Sequence, residues 1–398
     1  MATCVGVGSS SSEEIKKAIH EAARKALILA HPPEDRPVDL VVAFCSSMYP
    51  QEEILPALHS ILHPKMLIGC STAGEITSSG PARKSIVLLV FSSTTISTSI
   101  GIGNSVRTNP RLAGQQAALM AVKNNPPKKH AFFILPDGLA GNGTNIIRGA
   151  QEILGTSFPI VGGSSADDFR FQKTYQYAQQ TLLSDAVVGV LFSGEVSVGI
   201  GVRHGWSPIG KPRLVTKAYA NYVEKLDEAP AINLYEEYFG AQAEELKQEA
   251  LAHLTLTYPL GMAIPDEEEY LLRNVLKVDP SGAIIYAAEI PEQSKVRLMM
   301  ANREAVMSAA QRAAQKALQN LGGRKPFLGL VFNSAARRKL LGFRAMDEIA
   351  IIQETLGSQV PLIGFYSYGE QAPLGAEIHH GQSHFHNESV VVVTLAEG

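Results

Sequence analysis

The chain has 398 residues, of which 45% are hydrophobic and 18% are charged, so it can bury a large core and exceeds the length of one ordinary domain. Its 35 basic and 38 acidic residues are mixed along the sequence and give a formal net charge of -3, which excludes a basic face for nucleic acid. The three cysteines, Cys4, Cys45 and Cys70, are too few for a disulfide framework and fit a reducing compartment.

The beginning of the chain lacks the basic segment followed by an apolar segment that marks a secretory signal. No stretch reaches the roughly 18 consecutive apolar residues that a membrane-spanning helix needs. We therefore expect a cytoplasmic protein whose partners include neither a membrane nor a nucleic acid.

The first predicted elements form a strand–helix–strand–strand unit. The apolar run DLVVAFCSS (39–47) predicts a strand, and EEILPALHSIL (52–62) has the apolar spacing of a helix. KMLIGCSTAGEI (65–76) then places Gly69 between apolar residues and a small polar pair that precedes an acid. The β-branched run SIVLLVF (85–91) predicts the last strand of this unit.

The same order of elements recurs twice, with Gly162 and Gly364 in the place of Gly69. The second unit reads HAFFILPDG (130–138), NIIRGAQEILG (145–155), FPIVGGSSADDF (158–169) and DAVVGVLFSG (185–194). The third unit reads FLGLVFNS (327–334), DEIAIIQETLG (347–357), VPLIGFYSYGEQ (360–371) and ESVVVVTL (388–395). Self-similarity of this kind indicates repeated structure. We predict an α/β fold with mixed sheets built from three repeated β-α-β-β units.

A change of pattern separates the second unit from the third. VSVGIG (196–201) echoes ISTSIGIG (96–103), so residues 1–212 are expected to form one domain of two related halves. SPIGKPRL (207–214) contains proline and glycine and is interpreted as a linker to a second domain, 213–398. That domain is expected to begin with a helical segment at 222–239, a hairpin at 276–290 and an alanine-rich helix at 303–319.

Strand–helix–strand connections of this length make parallel pairs, so both strands of a unit end at the same sheet edge, where ligands bind in open α/β sheets. Small polar and acidic residues follow these strands. The candidate ligand-binding residues are Cys45, Ser46, Cys70, Ser71, Thr72, Glu75, Asp137, Ser164, Ser165, Asp168, Arg337, Tyr368 and Glu370.

Hydroxyls, carboxylates and a guanidinium suit an amino-acid-like zwitterion: the acids would accept from an ammonium group, and Arg337 would hold a carboxylate. The structural alternatives are turn-forming serines, acids that cap loop amides, buried cysteines and a solvated arginine.

Several motifs together resemble the FIST domain family. LIGCSTAGEI, PDGLAGN, PIVGGSSADDF and GVRHGWSPIG resemble its N-terminal part, and PLIGFYSYGEQAP with FHNESVVVVTL resembles its C-terminal part. The resemblance implies a sensory module that binds small ligands such as amino acids, and some members bind haem and respond to nitric oxide. Because these domains fill the chain, the signal would pass to a separate partner protein.

Histidines offer two further candidate sites. His204 precedes a glycine and Trp206, which suggests a haem ligand beside an aromatic wall; the alternative is a hydrogen-bonded histidine at a strand end. His379, His380, His384 and His386 could ligate a metal, or could belong to a histidine-rich surface loop.

Enzyme and phosphate motifs are weak. No serine lies in a G-x-S-x-G elbow with an assignable base, so an enzyme is not expected, although a hydrolase acting on small amides stays an alternative. The turn at 138–144 could bind an anion at a helix N-terminus, or could be a simple connection capped by Thr144 or Asn145. Residues 205–212 match Walker A spacing but carry proline where the Ser/Thr hydroxyl is required.

Overall fold

The structure is a computed structural model that describes residues 3–33, 37–123, 126, 128–140, 142–247, 253–265, 267, 269–374 and 381–398. Its described strands form four sheets, and helices pack on the outer faces of three of them. The mixed α/β class predicted from the sequence is confirmed.

The first unit spans residues 3–93. It comprises β1 (Thr3–Ser10), α1 (Ile15–Ala30), β2 (Leu40–Ser46), a 3₁₀ turn (Gln51–Glu53), α2 (Ile54–Leu62), β3 (Met66–Thr72), β4 (Glu75–Thr77), β5 (Gly80–Pro81) and β6 (Ile86–Ser93). β2 and β3 are parallel, whereas β6 runs antiparallel to both β1 and β2. Apolar runs such as IVLLVF are buried along their whole length, as expected for a central strand covered on both faces.

The second unit spans residues 96–194. It comprises β7 (Ile96–Asn104), α3 (Pro110–Val122), β8 (Lys129–Pro136), α4 (Gly143–Leu154), β9 (Ile160–Gly163), β10 (Gln176–Ala178), β11 (Thr181–Leu183) and β12 (Ala186–Gly194). β8 and β9 are parallel, and β12 runs antiparallel to both β7 and β8. This unit therefore repeats the strand arrangement of the first.

The third unit is interrupted by an inserted subdomain. After β13 (Val196–Arg203), the insertion comprises β14 (Trp206–Tyr219), β15 (Tyr222–Leu226), β16 (Ala229–Pro230), α5 (Asn233–Phe239), a 3₁₀ segment (Gly240–Lys247), α6 (His253–Thr257), β17 (Leu260–Met262), β18 (Leu271–Arg273), β19 (Val275–Val278), β20 (Ile284–Tyr286) and β21 (Lys295–Ala301). These strands form a separate antiparallel sheet with its own apolar core.

The third unit resumes after the inserted subdomain with α7 (Arg303–Asn320), β22 (Leu328–Ser334), α8 (Ala335–Leu341), a 3₁₀ turn (Gly342–Arg344), α9 (Ala345–Leu356), β23 (Leu362–Ser367), β24 (Glu370–Pro373), β25 (Ser383–His386) and β26 (Val390–Glu397). β22 and β23 are parallel, and β26 runs antiparallel to β13 and β22. The parallel pairing expected for each unit is thus observed.

The units exchange their short hairpins in a closed cycle. β4–β5 of the first unit extend the sheet of the third, β10–β11 of the second extend the sheet of the first, and β24–β25 of the third extend the sheet of the second. Each hairpin covers a strand edge that would otherwise be open. As a result, strands from both sides of the predicted 212/213 boundary share two of the sheets.

The inner faces of the three unit sheets pack against one another, with Phe44, Phe133 and Phe365 in the same core. The helices pack close to the first strand of each unit because that strand carries a Gly-x-Gly pair. A Cβ on Gly6, Gly101 or Gly199 would lie 2.0, 1.9 or 2.0 Å from a helix carbonyl oxygen of Ala26, Ala117 or Ala317.

Two predicted segments of the insertion are wrong, and two are correct. Residues 207–214 are part of strand β14, where a register shift between Ile209 and Arg213 accommodates the Gly-Lys-Pro sequence as a bulge rather than a linker. Residues 222–239 form strand β15 followed by only the short helix α5. The hairpin at 276–290 and the alanine-rich helix are confirmed.

Candidate functional site

A cavity of about 540 Å³ lies where the second unit, the third unit and the inserted subdomain meet. This volume lies within the usual range for small-molecule sites. We call it the central cavity. Its lining comprises Asp137, Gly138, Leu139, Ala140, Asn142, Gly143, Ser164, Phe171, Asn221, Asn274, Leu276, Ala287, Ala288, Ser334, Ala335, Ala336, Ser367, Tyr368, Phe385 and Asn387.

The carboxyl ends of parallel strands supply one side of the central cavity. Asp137 and Ser164 follow β8 and β9, while Ser334 and Ser367 end β22 and β23. The crossover rule brings these ends together, as the sequence predicted for Asp137 and Ser164. Tyr368, also predicted, lies beside Ser367.

The Asp137 carboxylate holds this edge in place. It accepts from the backbone N–H of Leu139 at 2.9 Å, from the Thr174 hydroxyl at 2.6 Å and from the backbone N–H of Asp185 at 2.8 Å. The next helix, α4, is capped by Asn142, whose side chain accepts from the N–H groups of Thr144 and Asn145. The predicted caps Thr144 and Asn145 are therefore wrong, because they lie inside the first turn.

An aromatic wall closes the cavity beside these loops. The Tyr368 hydroxyl donates to Asp167 at 2.8 Å and accepts from the N–H of Phe169 at 2.9 Å, which fixes its ring. Phe171 stacks on that ring at 4.9 Å and an interplanar angle of 17°. Asp168, Phe169 and Phe171 all have positive φ, so this loop stores backbone strain of the kind often found at binding sites.

The inserted subdomain contributes Asn221 and Asn274 to the opposite side. Asn274 and Asn387 are buried, and the side-chain oxygen of each has no hydrogen-bond partner among the described residues. Asn274 and Asn387 thus bring two amide side chains from different parts of the chain to the lining of one cavity. Asp137 is the one acid among the described lining residues, and they include no lysine, arginine or histidine.

Two buried glutamates lie behind the cavity. The Ser367 hydroxyl donates to Glu370 at 2.7 Å, and the N–H of Ser389 donates to its other oxygen at 3.1 Å. Burial nevertheless raises the pKa of Glu370 to about 8. Burial, followed by the charge of Glu370, also raises the pKa of Glu388 well above its ordinary value. Burial therefore favours the protonated form of both carboxyls, which makes them poor proton acceptors for Ser334 or Ser367.

Predicted residues of the first unit hold one another in place. Thr72 and Ser85 donate to Glu75, and the hydroxyls of Ser46 and Ser47 donate to Asp168 at 2.9 and 2.8 Å. Ser71 donates to the carbonyl of Ala166 at 2.7 Å and Ser165 to that of Pro136 at 3.0 Å. The contacts of Ser46, Ser47 and Ser71 join the first two units. None of the predicted first-unit residues lines the central cavity.

The two predicted cysteines are free and buried. Burial, with the charge of Glu75, raises the pKa of the Cys45 and Cys70 thiols well above the ordinary value. The reactive form of a cysteine is the thiolate, which these raised pKa values disfavour. Cys45 and Cys70 therefore act as small apolar core residues.

Arg337 is fully buried and bound within the protein. Its Nε donates to Glu348 at 3.0 Å, and its other nitrogens donate to Glu348 and to the carbonyls of His204 and Val306. The expectation that it holds a ligand carboxylate does not fit this geometry. Its neighbour Arg338 donates to the carbonyls of Ala73 and Ala82 and so ties the third unit to the first.

His204 does not fit a haem ligand in this arrangement. Its Nδ1 accepts from the N–H of Trp206 at 2.9 Å, and its Nε2 lies 2.7 Å from Glu269. Both imidazole nitrogens are thus engaged, the residue is 4% exposed, and the Trp206 indole donates to the carbonyl of Leu256. The hydrogen-bonded alternative describes this histidine.

The other predicted metal ligands are not grouped around a metal position. His386 is buried and bonded to the carbonyl of Ala372, and burial lowers its pKa to about 3. His379 and His380 lie outside the described residues. Within the described ranges, no group of three or more His, Cys, Asp and Glu side chains is placed to hold a metal ion.

Sequence reasoning missed several lining residues. Ser334 and Ser367 occupy the register positions of Ser46 and Thr72, three residues beyond the paired positions Val331–Gly364 and Ala43–Gly69. The sheet-edge argument already places both serines at the expected ligand position, although neither was among the candidate ligand-binding residues. No local signal marked Asn274, because the inserted subdomain has no counterpart in the other units.

The fold and the cavity define a mixed α/β protein with one candidate small-molecule site. The FIST N domain matches residues 39–229, and the FIST C domain matches residues 231–373. The chain therefore belongs to the FIST family, whose domains are sensory domains.

Related chains share the whole length of the protein. An uncharacterized protein of Mycobacterium tuberculosis is 26% identical over 383 residues, covering 93% of this chain and 95% of the relative. An uncharacterized protein of Mycobacterium bovis is 24% identical over 392 residues, with 95% and 96% covered.

Solved structures give weaker matches. A cyanuric acid hydrolase from A. caulinodans aligns over 100% of both chains with 9% identity and a TM-score of 0.38. A chorismatase aligns over 100% of this chain and 99% of its own with 7% identity and a TM-score of 0.34. Similarity at this level carries no conclusion about function. None of the described helices is both long enough and apolar enough to cross a membrane.

Proposed function

We propose that this protein is a small-ligand sensor whose ligand occupies the central cavity. The observation that carries the proposal is a cavity of about 540 Å³ at the carboxyl ends of two pairs of parallel strands, lined by Asp137 and by the amides Asn274 and Asn387. A ligand that hydrogen-bonds the polar groups of this lining gains on the order of 0.5–1.5 kcal/mol from each bond.

The lining indicates the chemistry of the ligand. It offers amide, hydroxyl and carboxylate groups together with aromatic and aliphatic walls, and its described residues supply no cation. A neutral or cationic molecule with N–H donors fits this lining. An amino-acid-like ligand fits through its ammonium group at Asp137, whereas Arg337 is not free to take its carboxylate.

The position of the cavity suggests how binding is reported. The ligand would touch Asn274 of the inserted subdomain and Asn387 of the third unit at the same time. A ligand that bridges two bodies stabilises one relative arrangement, to the extent that it binds that arrangement more tightly. We propose that a separate partner protein reads this arrangement in the cytoplasm.

Haem sensing and catalysis have less support. The haem alternative requires a free nitrogen on His204, and both nitrogens are engaged. The hydrolase alternative requires a base for Ser334 or Ser367, and the nearby Glu370 carboxyl is protonated at neutral pH because burial raises its pKa to about 8.

Native mass spectrometry of the purified protein tests the proposal. The wild type should carry a small molecule, and Asn387→Ala should reduce its occupancy by at least about tenfold, the effect of losing one buried hydrogen bond. The variant should fold normally, because the oxygen that it removes has no partner in the protein. The exposed Asn109→Ala is the matched control. No bound molecule, or equal occupancy in both variants, would contradict the proposal.

A further inference from the structure

A second cavity, of about 380 Å³, shares the lining residue Phe385 with the central cavity. We call it the basic cavity. It is formed between α4, the inserted subdomain and the strand β25. Its lining comprises Thr144, Ile147, Arg148, Gln151, Met262, Ala263, Ile264, Pro265, Leu271, Arg273, Glu289, Pro291, Ser294, Gln382, Ser383, His384 and Phe385.

Arg273 is the most unusual residue of this lining, because it is only 2% exposed. Its Nε donates to the carbonyl of Glu289 at 3.0 Å, and its Nη1 donates to the carbonyls of Leu272 and Phe385 at 2.8 and 3.1 Å. Among the described residues, no carboxylate forms a hydrogen bond or an ion pair with this guanidinium.

Glu289, the acid of the described lining, is already paired with another arginine. Glu289 accepts from Arg148 at 2.7 and 3.4 Å through both of its oxygens. The one carboxylate of the described lining is therefore taken by Arg148, and Arg273 contacts only the backbone carbonyl of Glu289. His384 adds no charge at neutral pH, since burial and the two arginines lower its pKa to about 4. These four residues are the titratable groups of the described lining, and together they carry one excess positive charge.

A buried charge without a carboxylate partner is costly, and within the described ranges Arg273 is such a charge at the wall of a cavity. The same burial lowers the pKa of Arg273 to about 10. An anion in the cavity would offset this cost, and guanidinium groups match the oxygen atoms of carboxylates and phosphates. Thr144, in the first turn of α4, also belongs to this lining.

We propose that the basic cavity binds an oxyanion, the carboxylate or phosphate of a small molecule, between Arg148 and Arg273. This site is separate from the ligand site of the central cavity and does not depend on it. The two share Phe385, whose ring walls both and whose carbonyl accepts from Arg273.

Thermal unfolding in different sodium salts at constant ionic strength tests the site, with isothermal titration calorimetry to measure Kd. Inorganic phosphate or acetate should raise the Tm of the wild type above its value in chloride, because an anion bound to the native state stabilises it. A response to phosphate alone assigns a phosphate ligand, and a response to acetate alone assigns a carboxylate. Absence of any response beyond chloride would overturn the proposal.

Variants separate this site from general charge effects. Arg148→Gln and Arg273→Gln should each weaken the anion by roughly 10- to 100-fold, the effect of a lost charged hydrogen bond. The Arg148 side chain is 43% exposed, so Arg148→Gln should fold. This variant still tests the site if Arg273→Gln fails to fold. Arg111→Gln is the control, because Arg111 pairs with Glu152 on the outer face of α4. Wild-type affinity in both cavity variants, or equal loss in the control, would contradict the site.

Discussion

Glu75 and Glu370 show how one side chain can link folding to pH. Each lies six residues beyond its unit glycine and accepts from two donors, Thr72 and Ser85 in the first unit and Ser367 with the N–H of Ser389 in the third. Burial raises the pKa of Glu75 to about 7 and that of Glu370 to about 8 despite these donors. The native protein therefore keeps protons that the unfolded chain releases.

This difference predicts how stability depends on pH. Because the folded-state pKa of Glu370 is raised above its ordinary value of 4.5, its contribution is fully present below about pH 4.5 and is lost as the pH rises towards about 8. One such group changes the free energy of unfolding by up to about 1.4 kcal/mol per pH unit. Glu370→Gln imitates the protonated acid, so it should flatten this slope.

Urea unfolding at pH 5, 6, 7 and 8 measures the slope for wild type, Glu370→Gln and the exposed control Glu14→Gln. The pH-dependent contribution of Glu75 to the free energy of unfolding, which is lost as the pH rises towards about 7, is the same in all three proteins. If Glu370→Gln kept the wild-type slope, the carboxyl would be ionised in the folded protein, and our argument against a base beside Ser367 would fail.

At the scale of elements, the close approach of neighbouring strands explains why a glycine recurs at the same position of each unit and makes the repeat recognisable in the sequence. Gly69, Gly162 and Gly364 pair with Ala43, Ile134 and Val331 of the parallel neighbouring strand. A Cβ at these glycines would lie 2.0, 1.9 and 1.9 Å from the carbonyl oxygens of those partners. No other residue fits without moving the backbone.

Gly364→Ala should therefore destabilise the protein by more than about 2 kcal/mol, because it combines a backbone clash with the usual cost of overpacking. Gly357 provides a matched control in the same unit. It has φ of +105°, and the nearest atom to an added Cβ is 3.8 Å away, so Gly357→Ala tests strain without the clash. Guanidinium unfolding of both variants gives the comparison. Equal losses would mean that the close approach does not matter.

The long apolar runs and helical spacings predicted the β-α-β-β part of each unit, but not β1, α1 or α3. The hairpin exchange could not be predicted, because partners such as Gly80–Pro81 and Glu370–Pro373 are very short and pair with strands of another unit. Likewise, Asp137, Ser164 and Tyr368 followed from the sheet-edge rule. Asn274 lies in an insertion and Phe171 in a strained loop. Neither segment has a periodic hydrophobic pattern from which its position could be predicted.

At the scale of the whole molecule, the hairpin exchange makes the units depend on one another. The sheet of the second unit is completed by β24–β25, and β4 of the first unit pairs with β23. In addition, β13 pairs with the last strand, β26. A cut at the predicted boundary between residues 212 and 213 would separate all of these partners.

Fragment 1–212 should therefore fail to fold as a cooperative unit, although it contains two complete glycine motifs. It would leave open the edge of β9 and would release β4–β5 and β13 from their sheet, and isolated two-stranded hairpins are marginally stable in water. Circular dichroism during heating, compared with the full chain, provides the measurement. Co-expression with fragment 213–398 should restore a cooperative transition, since it supplies β22–β26. A sharp transition in fragment 1–212 alone would show instead that residue 212 ends an independent domain.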